Sequence, residues 1–230
     1  GSTLNLERRH KLIELADRYG VPIIEDDPYG QLRFEGDHLP PIISLDSDFH
    51  KNNGYAYSGN VIYLSTFSKL LAPGLRLAWV IAPQQVIRKL VMAKQAADLH
   101  TATFNQVVAY EIGKDGFIDR HVKTIREVYK ERRDIMMETM SELFPSEVRW
   151  THPEGGMFLW GILPPEMDAA DVLKVALNQK VAFVPGGPFH PNGGGLNTMR
   201  INFSYSTPEN IREGMTRLGL TLQDLIHKNG

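Results

Sequence analysis

The stretch Asn60-Val61-Ile62-Tyr63-Leu64-Ser65 constrains the fold most, because a short run dominated by β-branched and apolar residues reads as a buried strand. The segment after it is chemically loaded. Thr66-Phe67-Ser68-Lys69-Leu70-Leu71-Ala72-Pro73-Gly74-Leu75-Arg76 puts a lysine where the strand ends, two hydroxyls beside it, and a guanidinium beyond a Pro-Gly turn. Open parallel α/β sheets bind ligands in the crevice past the carboxyl ends of their strands. An amine held in such a crevice can attack a carbonyl, so Lys69 is a candidate Schiff-base lysine. Thr66, Ser68 and Arg76 are groups that hold a phosphate. The competing reading of Lys69 is a solvated surface charge, as most lysines are.

A second loaded strand end precedes this one. Val21-Pro22-Ile23-Ile24 reads as a short buried strand, and Glu25-Asp26-Asp27-Pro28-Tyr29-Gly30 comes next. Asp, Pro and Gly favour turns, so the carboxylates have a purely structural explanation. They also have a chemical one: a carboxylate against a pyridine nitrogen keeps that nitrogen protonated. Along an extended segment Glu25 and Asp27 face away from Asp26.

Thr66-Phe67-Ser68-Lys69, with Pro73-Gly74 and Arg76, resembles the cofactor-lysine signature of the fold-type-I pyridoxal-phosphate enzymes, specifically the class I/II aminotransferases. Ala78 stands where that family usually has glycine. The resemblance implies that Lys69 binds pyridoxal 5'-phosphate as an imine, and that Asp26 and Tyr29 bind the ring nitrogen and the phenolic oxygen. It also implies that Arg200, in Met199-Arg200-Ile201-Asn202-Phe203, binds the substrate α-carboxylate as a fork; the competing reading of Arg200 is a structural salt bridge. Val184-Pro185-Gly186-Gly187-Pro188-Phe189 looks like the family's entrance loop, with Phe189 near the substrate side chain. The Asp-Asp-Pro-Tyr-Gly and Thr-Phe-Ser-Lys motifs resemble the branch of 2-aminoadipate and aromatic aminotransferases.

The implied activity is transfer of an amino group from an amino acid to a 2-oxo acid, with 2-oxoglutarate as the expected acceptor and a homodimer as the expected assembly. Two other functions remain open: a cofactor-binding effector domain of a winged-helix transcription regulator, and a lyase or decarboxylase of the same fold. The resemblance starts at the glycine of the family's Asn-Pro-x-Gly motif, so the chain corresponds to a carboxyl-terminal part. On this resemblance Gly1 is expected to be native rather than a cloning remnant, and the family's phosphate loop, ring-stacking aromatic residue and asparagine are expected upstream.

Composition narrows the partners. A net charge of -2 over 230 residues gives no electrostatic reason to expect nucleic acid or an anionic membrane. The absence of cysteine excludes disulfides, thiol nucleophiles and thiolate-bound zinc. No pair of the scattered histidines has the spacing that puts two metal ligands on one helix face, so no metal site is assigned. No signal peptide or spanning apolar run is seen, and a cytoplasmic location is expected.

The remaining pattern predicts an α/β fold: part of the large transferase domain, a mostly parallel sheet flanked by helices, over residues 1–138, and a small α+β domain over 139–230. Helices are predicted from Leu6 to Tyr19, Gln84 to Asp98, Thr103 to Lys114 and Ile118 to Leu143, and a strand from Leu75 to Ala82. Gln31 to Gly59 reads as a long polar connection, a surface loop or part of the site rim. The charges of the long helix, including Arg120, Arg126, Lys130, Arg132 and Arg133, read as a solvated face. After Pro145 the order is β-β-α-β-β-α.

Overall fold

The computed structural model describes residues 1–51 and 56–229. The chain divides into two compact units, one spanning Leu4–Ile125 and the other formed by Gly1–Thr3 with the chain from Arg126 onward. This division falls inside a continuous helix.

The first unit contains α1 (Leu6–Tyr19), β1 (Ile23–Asp26), α2 (Ile42–Phe49), β2 (Val61–Thr66), β3 (Ala78–Ile81), α3 (Gln84–Ala97), α4 (Thr103–Gly113) and the start of α5 (Phe117–Leu143). Local signals set α1: the Asn5 side chain accepts the Arg8 N–H, and Gly20 stops the helix at φ 63°. Ile13 and Ala16 are its buried residues.

The strands lie in the order β1-β2-β3, with β1 parallel and β3 antiparallel to β2. Register gives the sheet two distinct faces. Ile23, Val61 and Tyr63 pack with Ile13 of α1 and with Ile42, Ile43 and Leu45 of α2. Ile24, Asp26, Leu64 and Val80 belong to the other face, where Ile24 is 68% exposed.

Three expectations for this unit are corrected. The polar connection contains a helix, α2, whose start is fixed by Pro41 and by a distant carboxylate: Glu25 Oε1 and Oε2 accept the N–H groups of Ile42 at 2.7 Å and Ile43 at 2.9 Å. The first strand runs two residues later than its apolar core suggests, because these same contacts let an acidic residue extend it. The strand expected from Leu75 is shorter for a related reason: Pro73–Leu75 form a 3-10 turn and Arg76 adopts φ 53°.

The second unit holds the rest of α5 with β4 (Arg149–Trp150), β5 (Phe158–Ile162), α6 (Ala169–Asn178), β6 (Val184–Pro185), β7 (Thr198–Asn202) and α7 (Pro208–Asn229), in the predicted element order. Its antiparallel sheet runs β4-β5-β7-β6. Leu159, Met199 and Ile201 are buried, as are Met136 and Met140 of α5 and Leu218 and Leu222 of α7.

The solvated face expected on α5 also needs correcting. Arg120 and Lys130 are exposed, but Arg133 is 1% exposed. It donates to the Pro153 carbonyl at 2.7 Å, lies 3.0 Å from His152 Nε2 and pairs with Asp134. Arg132 donates to the Ser204 carbonyl. The buried Arg133 guanidinium is stable here because a carbonyl and a carboxylate replace its water. Among the described residues no helix is long and apolar enough to cross a membrane, and no cluster of three metal-ligating side chains occurs.

Candidate active site

The parallel ladder between β1 and β2 brings two strand ends to one edge of the first unit's sheet. Asp26 closes β1 opposite Leu64, and β2 continues to Thr66, three residues before Lys69. Because β3 runs back from that edge, pairing Ala78 with Thr66, Arg76 enters at the same end. Asp26, Tyr29, Thr66, Ser68, Lys69 and Arg76 are therefore grouped by topology alone.

Among the three consecutive acids the roles separate. Glu25 is spent on the start of α2, and burial raises its pKa despite the two N–H donors that favour its charged form. Asp27 accepts the Gly30 N–H at 2.7 Å and the Tyr63 hydroxyl at 3.3 Å. Asp26, between them, is exposed and makes no side-chain hydrogen bond or ion pair with the described residues. Tyr29 is half-buried and leads into the 3-10 turn Gly30–Leu32.

Around Lys69 the backbone forms one helical turn, in which Leu71 and Ala72 donate to the Phe67 carbonyl. The Thr66 hydroxyl is built into this turn: it accepts the Ser68 N–H at 3.1 Å, lies 3.0 Å from the Ser68 hydroxyl and donates to the Leu77 carbonyl at 2.9 Å. Lys69 itself is half-buried, and its amine has no partner among the described residues. Arg76 donates one N–H to the Pro73 carbonyl at 3.0 Å and keeps the other donors of its fork.

Two supports had little sequence signal. The buried Ser65 hydroxyl donates to the Asp27 carbonyl at 2.8 Å, tying the ends of β1 and β2 together. Asn105 of α4 donates to the Leu75 carbonyl at 3.0 Å and pins the turn before Arg76. Ser65 is conspicuous as a small polar residue at the end of an apolar strand, but nothing in the sequence points from Asn105 to Leu75.

In the second unit Arg200 lies on β7, opposite Trp160 of β5 and Val184 of β6. The expected alternative, a salt bridge, is not found: no carboxylate pairs with Arg200 among the described residues, and its Nε is buried without a hydrogen bond. Its Cζ lies 4.3 Å from the centroid of the Phe158 ring and 4.9 Å from that of Phe189.

The sequence profile of the family "Aminotransferase class I and II" matches residues 1–218. The chain belongs to the class I and II aminotransferases. This aminotransferase chain is 45% identical over 228 residues to aromatic-amino-acid aminotransferase 1 of Thermococcus litoralis, with 99% of the chain and 52% of that protein covered.

Its fold matches LysN, the α-aminoadipate aminotransferase of Thermus thermophilus crystallised with N-(5'-phosphopyridoxyl)-L-leucine, at a TM-score of 0.92 and 41% identity, covering 99% of this chain and 56% of that one. It also matches the Pyrococcus horikoshii kynurenine aminotransferase at 0.90 and 44%, covering 98% and 54%. The chain thus spans about half the length of the relatives it matches. The family depends on pyridoxal phosphate, and the residues present fit that group: an unpartnered amine, an uncommitted carboxylate, hydroxyls and a guanidinium share one sheet edge.

Proposed function

We propose that this chain supplies the lysine and the substrate arginine of an enzyme that transfers the amino group of an amino acid to a 2-oxo acid, with 2-oxoglutarate as acceptor. The observation that carries the reading is the pairing of two uncommitted side chains, Lys69 and Asp26, at the carboxyl ends of adjacent parallel strands. Bound pyridoxal phosphate would supply an electron sink for the pair of electrons left when the substrate α-carbon loses its proton.

Each residue has a task in that reading. Lys69 Nζ would hold the cofactor and, once freed by an incoming amine, would serve as the general base that accepts the proton of the substrate α-carbon. Asp26 would hold the pyridine nitrogen in its protonated form, and the Tyr29 hydroxyl would hold the phenolic oxygen. The Ser68 hydroxyl and the free donors of Arg76 would hold the phosphate; Thr66, whose proton goes to the Leu77 carbonyl, would act on the phosphate by fixing the turn that presents Ser68. Arg200 receives the α-carboxylate as a bidentate fork. The assembly is a homodimer and the location cytoplasmic.

The test is made on the longest natural polypeptide carrying this sequence, loaded with pyridoxal phosphate and given a panel of amino acids with 2-oxoglutarate. Glutamate and the matching 2-oxo acid are expected products, and Lys69→Ala is expected to form neither. Cofactor binding with no product from any amino acid would identify a sensor domain instead, and release of carbon dioxide or ammonia a lyase or decarboxylase.

A further inference from the structure

Arg200 is a cation on a short strand, and among the described residues no anion pairs with it. What packs against it is aromatic: Phe158, two positions before Trp160 on β5, and Phe189, the last residue of the 3-10 turn Gly187–Phe189. Both rings are fixed by structure. Phe158 lies in register with Asn202 of β7, on the sheet face that carries Arg200. The turn holding Phe189 is tied to β7 through the Gly186 N–H, which donates to the Thr198 carbonyl at 2.7 Å, and Trp160 meets the Phe189 ring edge-on at 5.5 Å.

The choice of rings over a carboxylate has a chemical meaning. A carboxylate would neutralise Arg200 and occupy two of its N–H donors. A phenyl face attracts the guanidinium through its quadrupole but leaves the charge and the donors in the guanidinium plane available. Phe189 is 46% exposed, so its ring flanks Arg200 from a position that solvent can reach.

We infer that Phe158 and Phe189 are positioning residues, which hold the Arg200 fork in the orientation that receives a substrate carboxylate, with Trp160 steadying Phe189. The inference rests on the proposed role of Arg200. In it, the rings stand in for the counter-ion that a partly buried guanidinium otherwise requires, so the affinity of the site for carboxylates depends on aromatic faces and not on apolar volume.

The experiment uses the longest natural polypeptide carrying this sequence, loaded with pyridoxal phosphate. Calorimetric titration with 3-phenylpropionate, a carboxylate without an amine, is the binding readout; steady-state kinetics with an amino acid donor are the second. Phe158→Leu and Phe189→Leu, which keep apolar volume but remove the ring, are each expected to weaken carboxylate binding by about 3- to 30-fold and to raise KM more than they lower kcat. Phe158→Tyr and Phe189→Tyr are expected to bind within about twofold of the parent, since the ring face is retained.

Urea midpoints of the same proteins separate folding defects from binding defects, and Phe189, being half exposed, is the position where the two are least easily confused. Arg200→Gln distinguishes the role of the arginine from that of the rings. Unchanged 3-phenylpropionate affinity in Arg200→Gln would overturn the carboxylate role and the positioning role together. Weakened affinity in Arg200→Gln with parental affinity in both leucine variants would leave the role of Arg200 standing and sink the inference about the rings.

Discussion

The hydroxyl of Ser65 donates to the main-chain carbonyl of Asp27 at 2.8 Å, while the Asp27 N–H donates to the Leu64 carbonyl at the same distance. These bonds extend the β1–β2 ladder one residue past Asp26, so the carboxylate proposed for the cofactor nitrogen is fixed from both sides. Ser65→Ala leaves the part-buried Asp27 carbonyl without this donor and is expected to lower stability by about 1 kcal/mol. Urea denaturation measures this, and an unchanged midpoint would show the bond to be dispensable.

Asp26 gives a cleaner separation of stability from chemistry. Its carboxylate is exposed and uncommitted, so Asp26→Asn is expected to move the unfolding free energy by less than about 0.5 kcal/mol. The proposed loss of the ring-nitrogen charge partner is expected to lower the transamination rate by roughly 10²- to 10³-fold. A variant with the parental rate would remove Asp26 from the mechanism.

His50 ties α1 to α2 and gives the first unit a pH dependence. Its Nδ1 lies 3.0 Å from the Asp46 carbonyl and its Nε2 lies 3.1 Å from Asp17 Oδ1, two partners that only accept hydrogen bonds. Burial alone would lower the His50 pKa, but these contacts and the nearby Asp46 and Asp17 carboxylates together raise it above the ordinary imidazole value. A raised native pKa means the native state binds the proton more tightly. The stabilisation is fully present below the ordinary value and is lost as pH rises through the native one. Denaturation midpoints across neutrality should therefore fall with pH more steeply in the parent than in His50→Gln; parallel curves would exclude the linkage.

Arg133 carries a stability prediction for the second unit. Arg133→Met keeps apolar bulk in a buried position but leaves the Pro153 carbonyl without its charged donor, and is expected to cost about 2–3 kcal/mol. Pro153 precedes the Gly155-Gly156-Met157 segment that enters β5 at Phe158, so local unfolding of that segment should also become easier. Hydrogen exchange at Phe158 to Trp160 would report it; unaltered protection there would restrict the effect to global stability.

How legible these features are depends on how far away their causes lie. The ends of α1 are written beside it, in Asn5 and Gly20, and the β-β-α-β-β-α order of the second unit follows from local pattern. Helix α2 is not legible, because a capping partner is Glu25, and its eight residues carry too little periodicity to declare themselves. Arg133 is misread for a similar reason: on a charged helix, nothing local separates the arginine that reaches the Pro153 carbonyl from those in water. The grouping of Asp26 with Lys69 is legible through the family resemblance. The separation of Asp26 from Glu25 follows from strand alternation, and the structure adds the contacts that occupy Glu25 and Asp27.

The parallel ladder that aligns Ile23–Asp26 with Val61–Leu64 also acts as a gauge. Neighbouring strands are held about 4.8 Å apart by their hydrogen bonds, whatever the chain does between them. The lateral offset between the carboxylate position and the strand leading to the lysine is thus set by backbone geometry. The parts of the connection between Gly30 and Asn60 that lie outside α2 can lengthen or shorten without recalibrating that offset. Evolution of the rim is uncoupled from the spacing beneath it.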